Sequence, residues 1–233
     1  MPVFQLDHRL IFPDPRHARP DGLLAVGGDL CAARLLLAYS MGIFPWYNEA
    51  PILWWSPPQR CVLEPERLII SRKLAQTARN RFTITVDRCF GEVIHACAVT
   101  PRKPTPESGE QGTWIGKDME RAYTGLFERG YAHSVECWRD GQLAGGLYGI
   151  LLGRCFCGES MFHRASDASK VALVHLAAFL QKSGGGLIDC QISNPHLASL
   201  GAHNISRSDY LRRLRALGIT PGVVQKPVPL CTP

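Results

Sequence analysis

Two stretches decide the fold: CFCGESMF at residues 155–162 and LIDCQI at residues 187–192. Each is a short apolar run typical of a buried strand, and the apolar segment from Asp167 to about Lys182 between them predicts a helix. Side chains alternate faces along a strand, so Asp189 and Gln191 are expected to point the same way. A carboxylate and an amide on a buried strand cost free energy unless both are paired. They therefore form either a structural hydrogen-bonded pair or a functional site.

The elements around these stretches follow an α+β pattern. A helix is predicted over residues 30–41, with Asp29 as its N-cap and Gly42 as its stop. Further helices are predicted at 71–80, 87–98, 117–129, 195–200 and 206–217, and further strands at 82–86, 132–138, 143–152 and 154–162. The residues from 100 to 112, rich in Pro, Glu, Ser and Gly, predict a loop. Three antiparallel strands, a crossover helix and a parallel strand indicate an α+β fold. We expect a small N-terminal α/β domain at 1–66 and a second domain at 67–233.

Composition bounds the class of protein. The 233 residues are 45% hydrophobic and 20% charged, as in an average soluble protein, so a folded chain is expected. No apolar run approaches the roughly 20 residues that span a bilayer, and the first ten residues lack the features of a secretory signal. We therefore expect a cytoplasmic protein. The nine cysteines form no C-x-x-C pair and the eight histidines are scattered, which favours reduced core thiols and no metal site.

The net charge of +6 is unevenly distributed along the chain. Residues 1–66 hold five arginines against seven acidic residues, whereas residues 67–103 hold eight basic residues against Asp87 and Glu92. A second basic cluster lies at residues 207–215. One such cluster is often only a solvated helix face, but two in the same part of the chain favour a polyanionic partner, with nucleic acid first.

Six motifs resemble those of one family, in the same order and at compatible spacing. They are GLLAVGGDL at 22–30, GIFPW at 42–46, ILWWSP at 52–57, GTWI at 112–115, FCGESMF at 156–162 and LIDCQ at 187–191. From about residue 5 to residue 220, the chain is similar to the leucyl/phenylalanyl-tRNA–protein transferase family.

The resemblance implies an aminoacyltransferase. It implies that Leu or Phe, and Met more weakly, moves from aminoacyl-tRNA to the α-amino group of proteins that begin with Arg or Lys, which marks them for N-end-rule degradation. It also implies a small N-terminal domain joined to an N-acetyltransferase-like (GNAT-like) domain, with neither coenzyme A nor a metal as cofactor. We expect the enzyme to be a monomer.

The resemblance also implies roles for individual residues. Asp189 is the expected acid–base group, with Gln191 as its neighbour, although Asp189 could instead attract the cationic acceptor. Glu159 is the expected polar contact to the donor and is grouped with Asp189 and Gln191 as a catalytic residue. Trp46 and Trp114 are expected against the terminal adenosine, where stacking contributes roughly 1–3 kcal/mol per base.

The aminoacyl side chain needs an apolar pocket, for which the resemblance implies Phe156, Leu147 and Leu173. Leu147 occupies a position where the family pattern favours Met, so the ranking of Leu, Phe and Met as donors is open. The residues expected to bind the tRNA backbone through its phosphates are Arg72, Lys73, Arg79 and Arg81.

Two other functions stay open from the residues alone. A coenzyme A-dependent N-acyltransferase of the same fold would need a pyrophosphate-binding loop, and Q-x-x-G-x-G at 181–186 matches one in letters. This segment follows a predicted helix and precedes a predicted strand, so its amides are wrongly placed for phosphate and a helix C-cap is predicted instead. A non-catalytic tRNA-binding module explains the basic clusters but leaves Glu159, Asp189 and Gln191 without a role.

Overall fold

The computed structural model describes residues 2–100, 114–223 and 226–230. The loop predicted at 100–112 therefore lies outside the described residues, apart from Thr100. Within the described ranges, a small and a large β-sheet share one buried core, and a second core lies on the other face of the large sheet.

The smaller sheet is formed by short strands from the N-terminal part of the chain. They are β1 (Phe4–Leu6), β2 (Leu23–Gly27), β3 (Phe44–Pro45) and β4 (Leu53–Trp55), in the spatial order β1-β2-β4-β3. Helix α1 (Ala32–Ser40) follows β2, and Gly42, with a φ of +72°, lies just past its end as predicted. The predicted N-cap is wrong: Cys31 holds that position, and the Asp29 carboxylate accepts a hydrogen bond from the Cys31 backbone N–H at 2.9 Å.

The larger sheet confirms the predicted α+β fold class. Its strands are β5 (Gln59–Leu63), β6 (Thr83–Val86), β7 (Ala132–Arg139), β8 (Gln142–Leu152), β9 (Cys155–His163), β10 (Leu187–Gln191) and β11 (His203–Ser206). Their spatial order is β11-β5-β10-β9-β8-β7-β6, with β9 and β10 parallel and the other neighbours antiparallel. Strand β5 belongs to this sheet although it precedes residue 66, and the domain boundary at 66 stays a prediction.

Helices cover both faces of the larger sheet. They are α2 (Arg72–Asn80), α3 (Phe90–Val99), α4 (Lys117–Glu128), α5 (Ala168–Lys182), α6 (Pro195–Ser199) and α7 (Arg207–Ala216). Alternation along β8 supplies two cores: Tyr148 and Ile150 belong to the core shared with α1, α3 and α4, whereas Leu147 and Leu151 belong to the core beneath α5 and α2.

Helix α3 begins at Phe90 rather than at Asp87, where the sequence predicts its start. Asp87 has a φ of +56°, outside the helical region, and its carboxylate accepts hydrogen bonds from the Ser134 backbone N–H and the His133 ring. The carboxylate is therefore used to join β7 to the chain before α3, not to begin the helix.

Two irregularities break strand alternation beside the acidic residues. Between β8 and β9 the register shifts, so that Tyr148 pairs with Ser160 and Gly149 with Gly158. Glu159 of β9 therefore has no register partner on β8, which makes it the extra residue of a bulge. Only glycine fits at 149, because a Cβ there would lie 2.2 Å from a backbone oxygen of β9. In β10 a second shift follows Asp189, and Gln191 has a φ of +61°. The regular alternation from which Asp189 and Gln191 were predicted to share a face is therefore absent.

The helices of the described residues include none that is both long enough and apolar enough to cross a membrane. The cysteines in the described ranges are free thiols, and five of them are buried: Cys61, Cys97, Cys137, Cys155 and Cys157. The prediction of reduced core thiols is confirmed for these five, whereas Cys31 is exposed.

Candidate active site

Glu159 lies at the β9 bulge in a buried cluster of hydroxyl and amide groups. Its Oε1 accepts hydrogen bonds from the Tyr39 hydroxyl and from Gln191 Nε2, both at 2.7 Å. Its Oε2 accepts one from the Tyr123 hydroxyl at 2.8 Å. The two tyrosine hydroxyls lie 2.5 Å apart. Helices α1 and α4 and strands β9 and β10 therefore meet at one carboxylate.

The surroundings of Glu159 change its titration. Burial raises the pKa of its carboxyl from 4.5 to about 7, and the hydrogen bonds from Tyr39, Tyr123 and Gln191 oppose the rise only in part. Burial also raises the pKa of both tyrosine hydroxyls well above 10, and the charge of Glu159 adds to the effect. The tyrosines therefore stay protonated, and Glu159 is the group of the cluster that changes charge near neutral pH.

Asp189 lies in a second cluster, where Arg60 and Tyr210 hold it. Its Oδ1 accepts a hydrogen bond from Arg60 Nε at 2.8 Å, and its Oδ2 accepts one from Arg60 Nη2 at 2.7 Å. Oδ2 also accepts the Tyr210 hydroxyl at 2.8 Å. Arg60 is sandwiched between the rings of Phe44 and Tyr210, each centroid 4.6 Å from the guanidinium carbon, and it donates to the Gly42 carbonyl.

The charges of this pair stabilise each other. Burial alone would lower the pKa of the Arg60 guanidinium, but the neighbouring charge of Asp189 raises it well above its usual range. Both side chains are almost wholly inaccessible, at 2% and 0% exposure. The clamp joins β5, β10 and α7 to the segment that contains Gly42 and Phe44.

Gln191 connects the two clusters. Its backbone N–H donates to Asp189 Oδ1 at 3.0 Å, while its side-chain amide donates to Glu159. The structure therefore brings together Asp189, Gln191 and Glu159, which the resemblance groups as catalytic residues. It joins them through the turn at Gln191 and not through a shared strand face.

A wide cleft lies between the loop after β3 and the start of α4. It has a volume of about 850 Å³, and its lining includes Trp114, Tyr47 and Ala122, the residue that precedes Tyr123. Trp46 is half-buried and packs its ring edge against Trp55, with the centroids 5.8 Å apart. Trp114 therefore has open space beside it, whereas the adenosine-binding role of Trp46 and Trp114 stays a prediction.

The three residues predicted for the aminoacyl pocket lie together, but in a closed core. Leu147, Phe156 and Leu173 are each at most 3% exposed and belong to the core beneath α5. Glu159 contacts side chains on the other face of the sheet. A leucyl or phenylalanyl side chain would have to part this core to enter it, and the pocket stays a prediction.

The predicted tRNA-binding residues lie on and just after α2. Arg72, Lys73, Arg79 and Arg81 are all exposed. Helix α2 packs against α5, so this basic surface lies on the sheet face opposite Glu159. Its binding to a tRNA backbone stays a prediction.

The glycine triplet at 184–186 follows α5 and precedes β10, as predicted. Gly184 and Gly185 have φ values of +91° and +81°, and the Gly185 N–H donates to the Leu180 carbonyl, as in a helix C-terminal turn. The predicted helix cap is confirmed.

Four site residues escape sequence reasoning: Arg60, Tyr210, Tyr39 and Tyr123. Arg60 lies 129 positions from Asp189, and nothing local marks it as buried except the apolar run that follows it. The tyrosines read as ordinary residues of partly apolar helices. Their roles depend on contacts between distant elements, which periodicity cannot reveal.

A buried carboxylate with a pKa near neutrality, joined through Gln191 to a second buried carboxylate, is typical of an enzyme active site. The fold and this site define a candidate enzyme, and comparison with known proteins specifies its family. The family model described as leucyl/phenylalanyl-tRNA protein transferase matches residues 62–215, and the model of that family's N-terminal domain matches residues 28–58.

Individual relatives agree. A protein of Syntrophotalea carbinolica named leucyl/phenylalanyl-tRNA–protein transferase is 53% identical over 226 residues, which cover 96% of each chain. One of the same name from Syntrophobacter fumaroxidans is 56% identical over 216 residues, covering 92% of this chain and 90% of the relative. Among solved structures, a GCN5-related N-acetyltransferase from Kribbella flavida is similar with a TM-score of 0.40 at 12% identity, over 72% of this chain and 58% of that one.

The chain belongs to the leucyl/phenylalanyl-tRNA–protein transferase family. It is an aminoacyltransferase, and the family uses aminoacyl-tRNA as a substrate.

Proposed function

We propose that the enzyme moves Leu or Phe, and Met more weakly, from aminoacyl-tRNA to the α-amino group of proteins that begin with Arg or Lys. The products would enter N-end-rule degradation, and the enzyme would work as a monomer in the cytoplasm. The observation that carries the proposal is the Glu159–Gln191–Asp189 arrangement, found in a chain of this family.

The reaction is the aminolysis of an ester that is already activated, so the enzyme mainly has to position two reactants. The acceptor nitrogen attacks the aminoacyl carbonyl carbon, the bond to the terminal ribose oxygen breaks, and one proton passes from the nitrogen to that oxygen. Orientation of the two reactants supplies up to roughly 7–11 kcal/mol of the barrier reduction. A positioned proton acceptor adds about 10²–10⁴-fold.

An anionic site suits a cationic acceptor. A protein that begins with Arg or Lys carries two positive charges at its first residue when its α-amino group is protonated. That group has an ordinary pKa of about 7.7–8.0, so a substantial fraction of it is neutral and nucleophilic near neutral pH. The pKa of Glu159, at about 7, is close to that of the amine, and the side chain supplies negative charge once it ionises.

The donor would enter from the cleft. Trp114 on its wall offers a ring on which the terminal adenosine can stack. The aminoacyl side chain would enter the apolar core at Leu147, Phe156 and Leu173, where shape excludes β-branched side chains. The phosphates of the tRNA body would be bound by the exposed basic residues of α2.

The test is a panel of acceptors. Labelled leucyl-tRNA is offered with four peptides that differ only in their first residue, which is Arg, Lys, Asp or Ala. We expect rapid transfer to the first two and little to the others. Transfer to the Asp peptide instead would change the acceptor class, and absence of transfer to Arg and Lys would refute the proposal. A parallel binding measurement with acetyl-coenzyme A, for which we expect no thermal shift, separates this activity from an N-acetyltransferase.

A further inference from the structure

Asp189 has no free position at which to accept a proton. A carboxylate offers about four acceptor positions. Here Oδ1 accepts Arg60 Nε and the Gln191 N–H, and Oδ2 accepts Arg60 Nη2 and the Tyr210 hydroxyl. The side chain is 0% exposed, so an incoming amine cannot reach it without breaking the ion pair.

Glu159 differs in both respects. It keeps 7% of its surface exposed, as Gln191 keeps 8%. Among the residues that the structure describes, Tyr123 is the donor to its Oε2. Within those residues, one acceptor position on Oε2 is left for a substrate group.

The tyrosine pair can accommodate a proton on Glu159. Three contacts join Glu159, Tyr39 and Tyr123 in a closed ring. When Glu159 is ionised, both hydroxyls donate to it, and the contact between the two tyrosine oxygens contains no hydrogen. When Glu159 gains a proton, it donates to Tyr123, Tyr123 donates to Tyr39, and Tyr39 donates back to Glu159. Every contact then has its hydrogen, and only hydrogen atoms have moved.

The titratable groups around Glu159 come from several elements. Tyr39 of α1 and Tyr123 of α4 contact it directly, and the charge of Asp189 on β10 acts on it from a distance. Tyr148 of β8 packs its ring against Tyr123. The thiols Cys97, Cys155 and Cys157 belong to the same core. Burial raises the pKa of the Glu159 carboxyl to about 7, so its charge changes near neutral pH.

We infer that Glu159 is the catalytic proton acceptor, and that Asp189, clamped by Arg60 and Tyr210, is a positioning residue that fixes the Gln191 turn. Glu159 takes the proton that the attacking nitrogen loses as the C–N bond forms. It returns that proton to the ribose oxygen as the C–O bond breaks, so the atoms balance without a further reactant. This inference rests on the proposed function.

The test measures single-turnover transfer of leucine from leucyl-tRNA to an Arg-starting peptide over a range of pH. The same peptide is used throughout, so the titration of its amine is common to all variants. For wild type we expect the rate to rise through a limb near pH 7. Glu159→Gln should lose that limb and about 10²–10⁴-fold in rate on the alkaline side. Asp189→Asn should be slower but keep the limb.

Two controls separate chemistry from folding. Glu159→Gln should bind leucyl-tRNA as wild type does and melt no earlier than wild type, because glutamine still accepts hydrogen bonds and buries no charge. If it does not fold, Tyr123→Phe replaces it: the ionised carboxylate loses a donor, so the limb moves to higher pH. The inference is overturned if the rise of the transfer rate near pH 7 persists in Glu159→Gln and is lost in Asp189→Asn. It is also overturned if the dependence of the rate on pH is unchanged in Tyr123→Phe. No transfer by wild type refutes the proposed function itself.

Discussion

The clamp on Asp189 predicts a large stability loss when Arg60 is replaced by Met. The substitution keeps an apolar side chain between the rings of Phe44 and Tyr210 but leaves the Asp189 carboxylate without its charged partner. Both partners are inaccessible and joined by two hydrogen bonds of 2.8 and 2.7 Å. Removing one member of such a buried pair costs about 3–5 kcal/mol. That is a large part of the 5–15 kcal/mol typical of a whole domain.

The assay is chemical denaturation at fixed pH. It compares wild type, Arg60→Met, Asp189→Asn and the double variant, so that the coupling between the two side chains is measured. The double variant should be more stable than Arg60→Met, because it no longer buries an unpaired charge. Arg121→Met is the matched control: its pair with Asp118 is 79% and 72% exposed, and its loss should leave stability close to wild type. A loss of stability below about 1 kcal/mol in Arg60→Met, or an absence of coupling between the Arg60 and Asp189 substitutions, would refute the clamp.

Three further predictions follow from other parts of the molecule. The pKa of the Glu159 carboxyl is raised from 4.5 to about 7 in the folded state. Its contribution to stability is therefore complete below pH 4.5 and is lost as pH rises through 7. In denaturation measured at several pH values, Glu159→Gln should gain stability over wild type toward pH 8, by on the order of 3 kcal/mol. Gly149→Ala should lower the free energy of unfolding by about 1–3 kcal/mol or more, because the new Cβ would lie 2.2 Å from a β9 backbone oxygen. The control is Gly91→Ala in α3, where a Cβ meets nothing within 4 Å, and it should raise that free energy by up to about 1 kcal/mol. Replacing Arg79 and Arg81 by Gln should weaken all aminoacyl-tRNAs alike and flatten the salt dependence of binding, and a donor-specific loss would count against a phosphate-binding role.

The long elements of the fold could be predicted because each carries its own periodic signal. Helix α5 and the strands on either side of it are examples, and the parallel pairing of β9 with β10 follows from the crossover between them. The strands of the smaller sheet could not be predicted, since they have two to five residues and too few alternations to recognise.

The site was predictable in its acidic residues but not in their partners. Asp189 and Glu159 stand out because a carboxylate in an apolar strand needs an explanation. The bulges that orient them depend on pairing with β5 and β8, so alternation alone gave the wrong geometry at Gln191. Arg60 and the tyrosines reach the acids from distant elements, and only the folded chain reveals those contacts.

The position of the transferred leucine on an acceptor peptide tests the proposed reaction. The enzyme is incubated with labelled leucyl-tRNA and a peptide that begins with Arg, beside the same peptide acetylated at its α-amino group, and the products are mapped by mass spectrometry. We expect leucine joined by an amide bond to the α-nitrogen of the free peptide, and none on the acetylated one. Leucine on neither peptide, or equally on both, would contradict the proposed reaction.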